Sequence, residues 1–184
     1  MAQRRDVDDG IADATLGLLR TKGPRSVTVE AVAARSGIAK TTIYRRHRDR
    51  RDMLSVALAG LASPEPLGAE ADAADRLRWL IGEAVKTIEV GIGFGGLAAL
   101  LTDDDPDFTK LFRRILTRQR AELESVIAAA KADGSFRKDI AGATLVDAVV
   151  GAVIAERART GRVANGWEER LFDLFWPLVR SGAD

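Results

Sequence analysis

Six cations crowd into twelve residues near the amino terminus: Lys40, Arg45, Arg46, Arg48, Arg50 and Arg51, with Asp49 as the sole acid among them. Positive charge at that density suits a polyanion, and the neighbouring Thr41, Thr42 and Tyr44 add hydroxyls that can meet phosphate oxygens or base edges. The excess is local. Residues 1–52 hold 12 Lys and Arg against 7 Asp and Glu, whereas 53–184 hold 16 against 20, so a net charge of +1 conceals one basic end. Other chemistries lack their residues. The chain has no cysteine, which excludes a thiolate nucleophile and a Cys-based metal site; His47 is its one histidine, so there is no His-rich metal constellation, and no Ser-His-Asp set is evident around it. Gly91-Ile92-Gly93-Phe94-Gly95-Gly96 spells G-x-G-x-x-G, but no strand precedes it, so it reads as a flexible interhelical turn. The acids of Asp103-Asp104-Asp105-Pro106-Asp107 suit a helix N-terminus better than a metal. We therefore expect no enzyme, no cofactor and no metal site.

The elements that must position the cations are helical. Only Ser26-Val27-Thr28-Val29 is briefly strand-like, and apolar residues elsewhere recur at helical spacing. Ile11, Leu18 and Leu19 mark a first helix that stops at Lys22-Gly23-Pro24, with Arg4 and Arg5 ahead of it as a candidate arm. Thr28 caps a second helix, a third starts near Ala39, and Asp49 caps a fourth bearing Met53, Leu54, Leu58 and Leu61. Ser63-Pro64-Glu65-Pro66-Leu67-Gly68 is the clearest break. Beyond it we expect a helix over about 72–90 and a short one at Leu97–Leu101. A long helix then opens at Asp105-Pro106, another spans roughly 140–160, and a last one is capped by Asn165 with Glu168. With 46% hydrophobic and 30% charged residues the chain should fold, as about nine helices. No uninterrupted apolar stretch of roughly 18 residues and no apolar leader is evident, so the expectation is a cytoplasmic protein without a membrane partner.

Two of these helices have the spacing of a helix-turn-helix. Ala33 is small enough for close helix approach, Gly37 can take positive φ at the turn, and Ile43 faces back into a core with Val32 and Ile38. The basic cluster begins on the second helix of the pair, the one that would enter a groove.

The stretch from Gly10 to Leu61, above all Val27 through His47, resembles the DNA-binding domain of tetracycline-repressor (TetR) type transcription regulators. Thr28 opening the second helix, the Ser36-Gly37 turn, Ile43-Tyr44 and Asp49-Arg50-Arg51 fall in that family's register. His47 stands where the family usually has Phe, and Arg50 where Lys is common. The resemblance implies an all-α fold, with a helix-turn-helix domain over 1–49 and a helical ligand-binding and dimerisation bundle over 50–184, connected by the helix 50–62. It assigns DNA contacts to Thr28, Lys40, Thr41, Thr42, Tyr44, Arg45, His47 and Arg50. Of these, Thr28, Thr42, Tyr44 and Arg50 suit phosphates, and Lys40, Thr41 and Arg45 suit base edges.

A single helix-turn-helix makes few contacts, and the usual answer is a symmetric dimer on double-stranded DNA. The resemblance favours an interface on the last two helices, through Val146, Val149, Val150, Val153, Leu171, Leu174, Phe175 and Leu178. It further implies a pocket for a small, largely apolar effector, for which Trp79, Val85, Ile88, Phe94, Phe108, Phe112 and Ile115 are candidates. The expected function is a ligand-released repressor on a palindromic operator. Activation or co-repression within the family stays open, as does a helical ligand-binding or enzymatic bundle with an incidental basic head.

Overall fold

Side-chain caps start the helices where the sequence calls for them. Thr28 Oγ1 accepts from the Ala31 amide (3.1 Å), Asp49 accepts from Asp52 (2.8 Å), and Asp105 accepts from Phe108 (3.0 Å), each meeting a donor the first turn leaves unpaired. The computed structural model describes residues 2–68 and 70–182. Nine α-helices run through the described residues: α1 (Ala2–Lys22), α2 (Val29–Ser36), α3 (Lys40–Arg46), α4 (Arg50–Leu58), α5 (Ala73–Val85), α6 (Gly93–Thr102), α7 (Pro106–Ala132), α8 (Gly142–Thr160) and α9 (Trp167–Val179). Among the described residues the only β pairing is an isolated bridge between Phe136 and Arg180. The protein is all-α, with a helix-turn-helix and a helical bundle.

The helices sort into two compact units. The first comprises residues up to Ala62 together with Val90–Leu116; the second comprises Ser63–Glu89 and the residues from Thr117 on. In the first, α1 packs against α2, α4 and α6. Ile11, Leu19, Val32, Ile43, Met53, Leu54 and Leu58 are buried between them, and the Phe108 and Phe112 rings of α7 stack at 5.6 Å. In the second, α5 packs on α8 and α9 through Leu77, Leu80, Ile81, Val149, Val153 and Leu171. There Arg78 lies 4.0 Å over the Phe172 ring, a cation–π contact.

Three expectations change, and one helical run calls for comparison with a membrane span. The glycine cluster is helical: α5 passes through a π-helical segment, Lys86–Ile92, straight into α6. A Cβ on Gly95 would stand 2.6 Å from the Gly23 nitrogen and the Leu19 carbonyl oxygen, so the absent side chain lets α6 lie against the end of α1. Second, α9 has Gly166 at its start with no side-chain cap, because Gly166 is left-handed (φ 70°) and the helix opens beyond Asn165. The capping box belongs to α5, where Asp72 and Asp75 bond each other's amides. Third, α1 begins at Ala2, so Arg4 and Arg5 lie within the helix rather than ahead of it. Finally, the continuous helical run Ala73–Thr102 is long and apolar enough to cross a membrane by length and composition, with mean hydropathy 1.5. Half of that window is buried inside the protein, the pattern of a core helix.

Candidate nucleic-acid interface

The turn between α2 and α3 is built as its residue types require. Gly37 is left-handed (φ 72°, ψ 4°) and its amide closes α2 on the Ala33 carbonyl at 2.9 Å. Ser36 Oγ accepts from the Ile38 amide (3.2 Å) and donates to the Val32 carbonyl (2.8 Å), so one hydroxyl fixes both sides of the corner. Val32 and Ile43 are fully buried, with Ile38 half-buried against Gly10.

Burying Ile43 decides what the rest of α3 shows. On a seven-residue helix with one face anchored, Lys40, Thr41, Tyr44 and Arg45 turn outward, Tyr44 with 57% of its surface free, while Thr42 is half-buried. Thr28 is exposed at the start of α2. Among the described residues Arg45 and Arg51 carry no ion pair, and Arg48 is 88% exposed beside Asp52 at 3.7 Å. Arg48 and Arg51 line a groove of about 310 Å³ with Asp49, Asp52 and Ser55. This arrangement offers directional donors on a short helix, flanked by diffuse positive charge, which is what a duplex groove and its phosphates accept.

Residues 11–57 match the pattern of the bacterial regulatory proteins of the tetR family. Over these residues the chain carries the tetR-family pattern. Its fold is shared by a protein of Saccharomonospora viridis described as a transcriptional regulator and solved with choline, at a TM-score of 0.70 and 18% identity, covering 97% of this chain and 100% of that one. The transcriptional regulator FadR from Bacillus subtilis, solved with stearoyl-CoA, is similar at 0.67 and 14% identity over 90% and 95% of the two chains. A TetR family regulator from Marinobacter aquaeolei matches at 0.62 and 15% over 99% and 100%. No curated protein sequence matches the chain. The TetR-family head identifies a DNA-binding transcriptional regulator.

Two residues expected at the TetR-type DNA surface are turned inward instead. His47 is 7% exposed, with neither ring nitrogen hydrogen-bonded and Nδ1 3.8 Å from Asp52, so it fills the aromatic slot as packing. Arg50 donates through Nε to the Val27 carbonyl (3.0 Å) and through Nη2 to the Pro24 carbonyl (2.5 Å) and the Asp105 carboxylate. Its guanidinium braces the first unit from within. Asp105 is itself buried and caps α7, so the pair joins the start of α4 to the start of α7. Arg48 and Arg51 have the exposure that Arg50 lacks. They belong to the sequence's basic run, and only the direction in which each side chain leaves the helix distinguishes the three.

The pocket candidates divide between the two units. Phe108, Phe112 and Ile115 are buried in the first, whereas Phe94 is exposed on α6 beside a groove of about 360 Å³ lined by Pro24, Arg25, Ala98 and Asp104 among others. Trp79, Val85 and Ile88 lie in the second. Ile88 is buried, Val85 is half-buried, and the half-buried Trp79 donates through Nε1 to the Glu65 carbonyl (2.8 Å). Near Ile88 the Gln119 amide donates to the Thr87 hydroxyl, both of them buried. The interface candidates also split. Val146, Val149, Val153 and Leu171 are buried in the second unit's own core. Val150 and Phe175 are half-buried, and Leu174 and Leu178 remain 62% and 51% exposed, one turn apart on α9. Phe175 and Leu178 line an apolar groove of about 200 Å³ with Ala141, Thr144, Leu145 and Ala148 of the α8 end.

Proposed function

We propose that the protein is a ligand-released repressor that binds a palindromic operator as a homodimer. The observation that carries the DNA-reading part is the outward face of α3, on which Lys40, Thr41, Tyr44 and Arg45 project because Ile43 is buried beneath them. Lys40 and Thr41 are assigned to base edges. Thr28, Thr42 and Tyr44 are assigned to phosphates, with Arg45 serving either. Residues 1–49 form the DNA-reading domain and 50–184 the effector-binding and dimerisation domain, with the helix 50–62 between them.

The dimer reading is supported by Leu174 and Leu178, large apolar side chains left in water one turn apart, beside small residues of α8. Two such helices from each of two copies make a four-helix bundle. We assign the effector to the second unit, where Trp79, Val85 and Ile88 of the α5 run accompany the buried Thr87–Gln119 pair, giving apolar walls and one polar anchor. Relatives solved with choline and with stearoyl-CoA support a small-molecule effector. Effector binding favours a dimer state whose heads no longer match successive major grooves, and affinity falls by the difference in binding between the states. The protein acts in the cytoplasm, without catalysis.

Fluorescence anisotropy on duplex DNA from the chain's own upstream region tests the reading. Lys40→Ala should alter which duplexes bind. Binding indifferent to both Lys40→Ala and Arg45→Ala would refute it.

A further inference from the structure

Glu30 lies in the first turn of α2, two residues past the cap Thr28. Its carboxylate approaches Lys40 Nζ at 3.3 Å, although the two residues belong to different helices on either side of the turn. Both side chains keep more than half their surface in water, Lys40 54% and Glu30 59%. An exposed pair of this kind adds little to stability. Its effect on an approaching polyanion is larger. A carboxylate on a face that meets phosphates repels them, and it cancels the one unit of charge that Lys40 would otherwise present at long range. It leaves Lys40's directionality intact: an ammonium has three donors, and with one on Glu30 the others can reach guanine O6 and N7. Among the described residues Arg45 has no such tether.

We infer that Glu30 is a specificity-determining residue, which aims Lys40 at base edges and weakens binding to duplexes of the wrong sequence. The inference rests on the DNA-reading assignment of α3. Glu30 is held below its ordinary carboxyl range, first by its own backbone amide and then by Lys40, so it stays ionised near neutral pH. Its charge also meets the positive end of the α2 dipole, a purely structural role that a binding experiment separates.

The experiment measures anisotropy of the full chain on two duplexes over a salt series, one of random sequence and one selected by the wild type from a random pool. Glu30→Gln should tighten random-duplex binding several-fold and steepen its salt slope by about 1. The ratio of selected to random affinity should fall about tenfold. In a Lys40→Ala background the same change should cause no further loss of base preference. Should Glu30→Gln lower the melting temperature, Glu30→Asp keeps the charge at the helix start while shortening its reach, and a smaller fall in ratio is expected, without tightening on the random duplex. An unchanged ratio and slope, or equal weakening on both duplexes, overturns the inference while leaving DNA binding intact. A wild type that binds neither duplex at low salt overturns the α3 assignment along with it.

Discussion

The two units leave different side chains in water. In the second, guanidinium groups end on carboxylates: Arg76 on Asp133 (2.5 Å), Arg78 on Glu169 (2.9 Å), Arg120 on Asp147 (2.5 Å) and Arg157 on Glu89 (2.8 Å). On α9 that unit leaves two large apolar side chains facing water, Leu174 and Leu178, alongside the charged Glu168, Arg170 and Asp173. In the first, Arg25, Arg46, Arg48 and Arg50 pair with carboxylates as well, but Arg45 and Arg51 end in solvent with no counter-charge among the described residues. A near-neutral chain thus presents one face suited to a polyanion and another suited to protein. The lesson is that net charge describes neither face; what matters is whether each charge already has a partner.

The largest effect expected from breaking this contrast is at the apolar face. Leu174→Asp with Leu178→Asp puts four unpaired carboxylates into the proposed interface, two per copy, at a cost of about 3–5 kcal/mol or more. Sedimentation velocity should show monomers, and an unchanged oligomer would remove α9 from the interface. Next is Asp105→Ala, which leaves the Arg50 guanidinium unpartnered against two carbonyls. With Arg50 partly exposed, about 2–4 kcal/mol of thermal stability should be lost. Lys40→Ala should cost about 1–3 kcal/mol of discrimination at one base pair, read by competition among duplexes differing at single positions. Arg45→Ala should weaken all duplexes alike and flatten the salt slope by about 1 if Arg45 meets phosphate. Flattening without loss of preference would move it from base edge to backbone.

The smallest effect is in acid. Hydrogen bonds from the Ser135 hydroxyl, and then from the Arg76 guanidinium and the Ser135 amide, lower the Asp133 carboxyl from 3.8 to about 2. Because the folded value lies below the unfolded one, the stabilisation is complete above about pH 4 and is lost as pH falls toward 2. Melting temperatures over that interval should fall less steeply for Asp133→Asn than for wild type.

Much of the head was legible from residue order. A small residue, a glycine and an aliphatic at 33, 37 and 43, framed by Thr28 and Asp49, are local signals, and local signals report local geometry. Side-chain direction is a tertiary property and did not show. Arg48, Arg50 and Arg51 are indistinguishable as letters, yet Arg50 turns in because three acceptors wait at Pro24, Val27 and Asp105. The glycines at 91–96 read as a loop because their reason lies about 75 residues upstream, in the backbone of α1 that Gly95 must approach. On α8 the apolar stripe was visible, but no period tells an internal core from a surface awaiting a partner. Val146, Val149 and Val153 proved to be the former.

Asp105 holds two jobs at once: one oxygen fixes the opening amide of α7, and the other grips a guanidinium clamped to the peptide groups just ahead of Thr28. One carboxylate and one guanidinium thus tie the first turn of α7 to the threshold of α2.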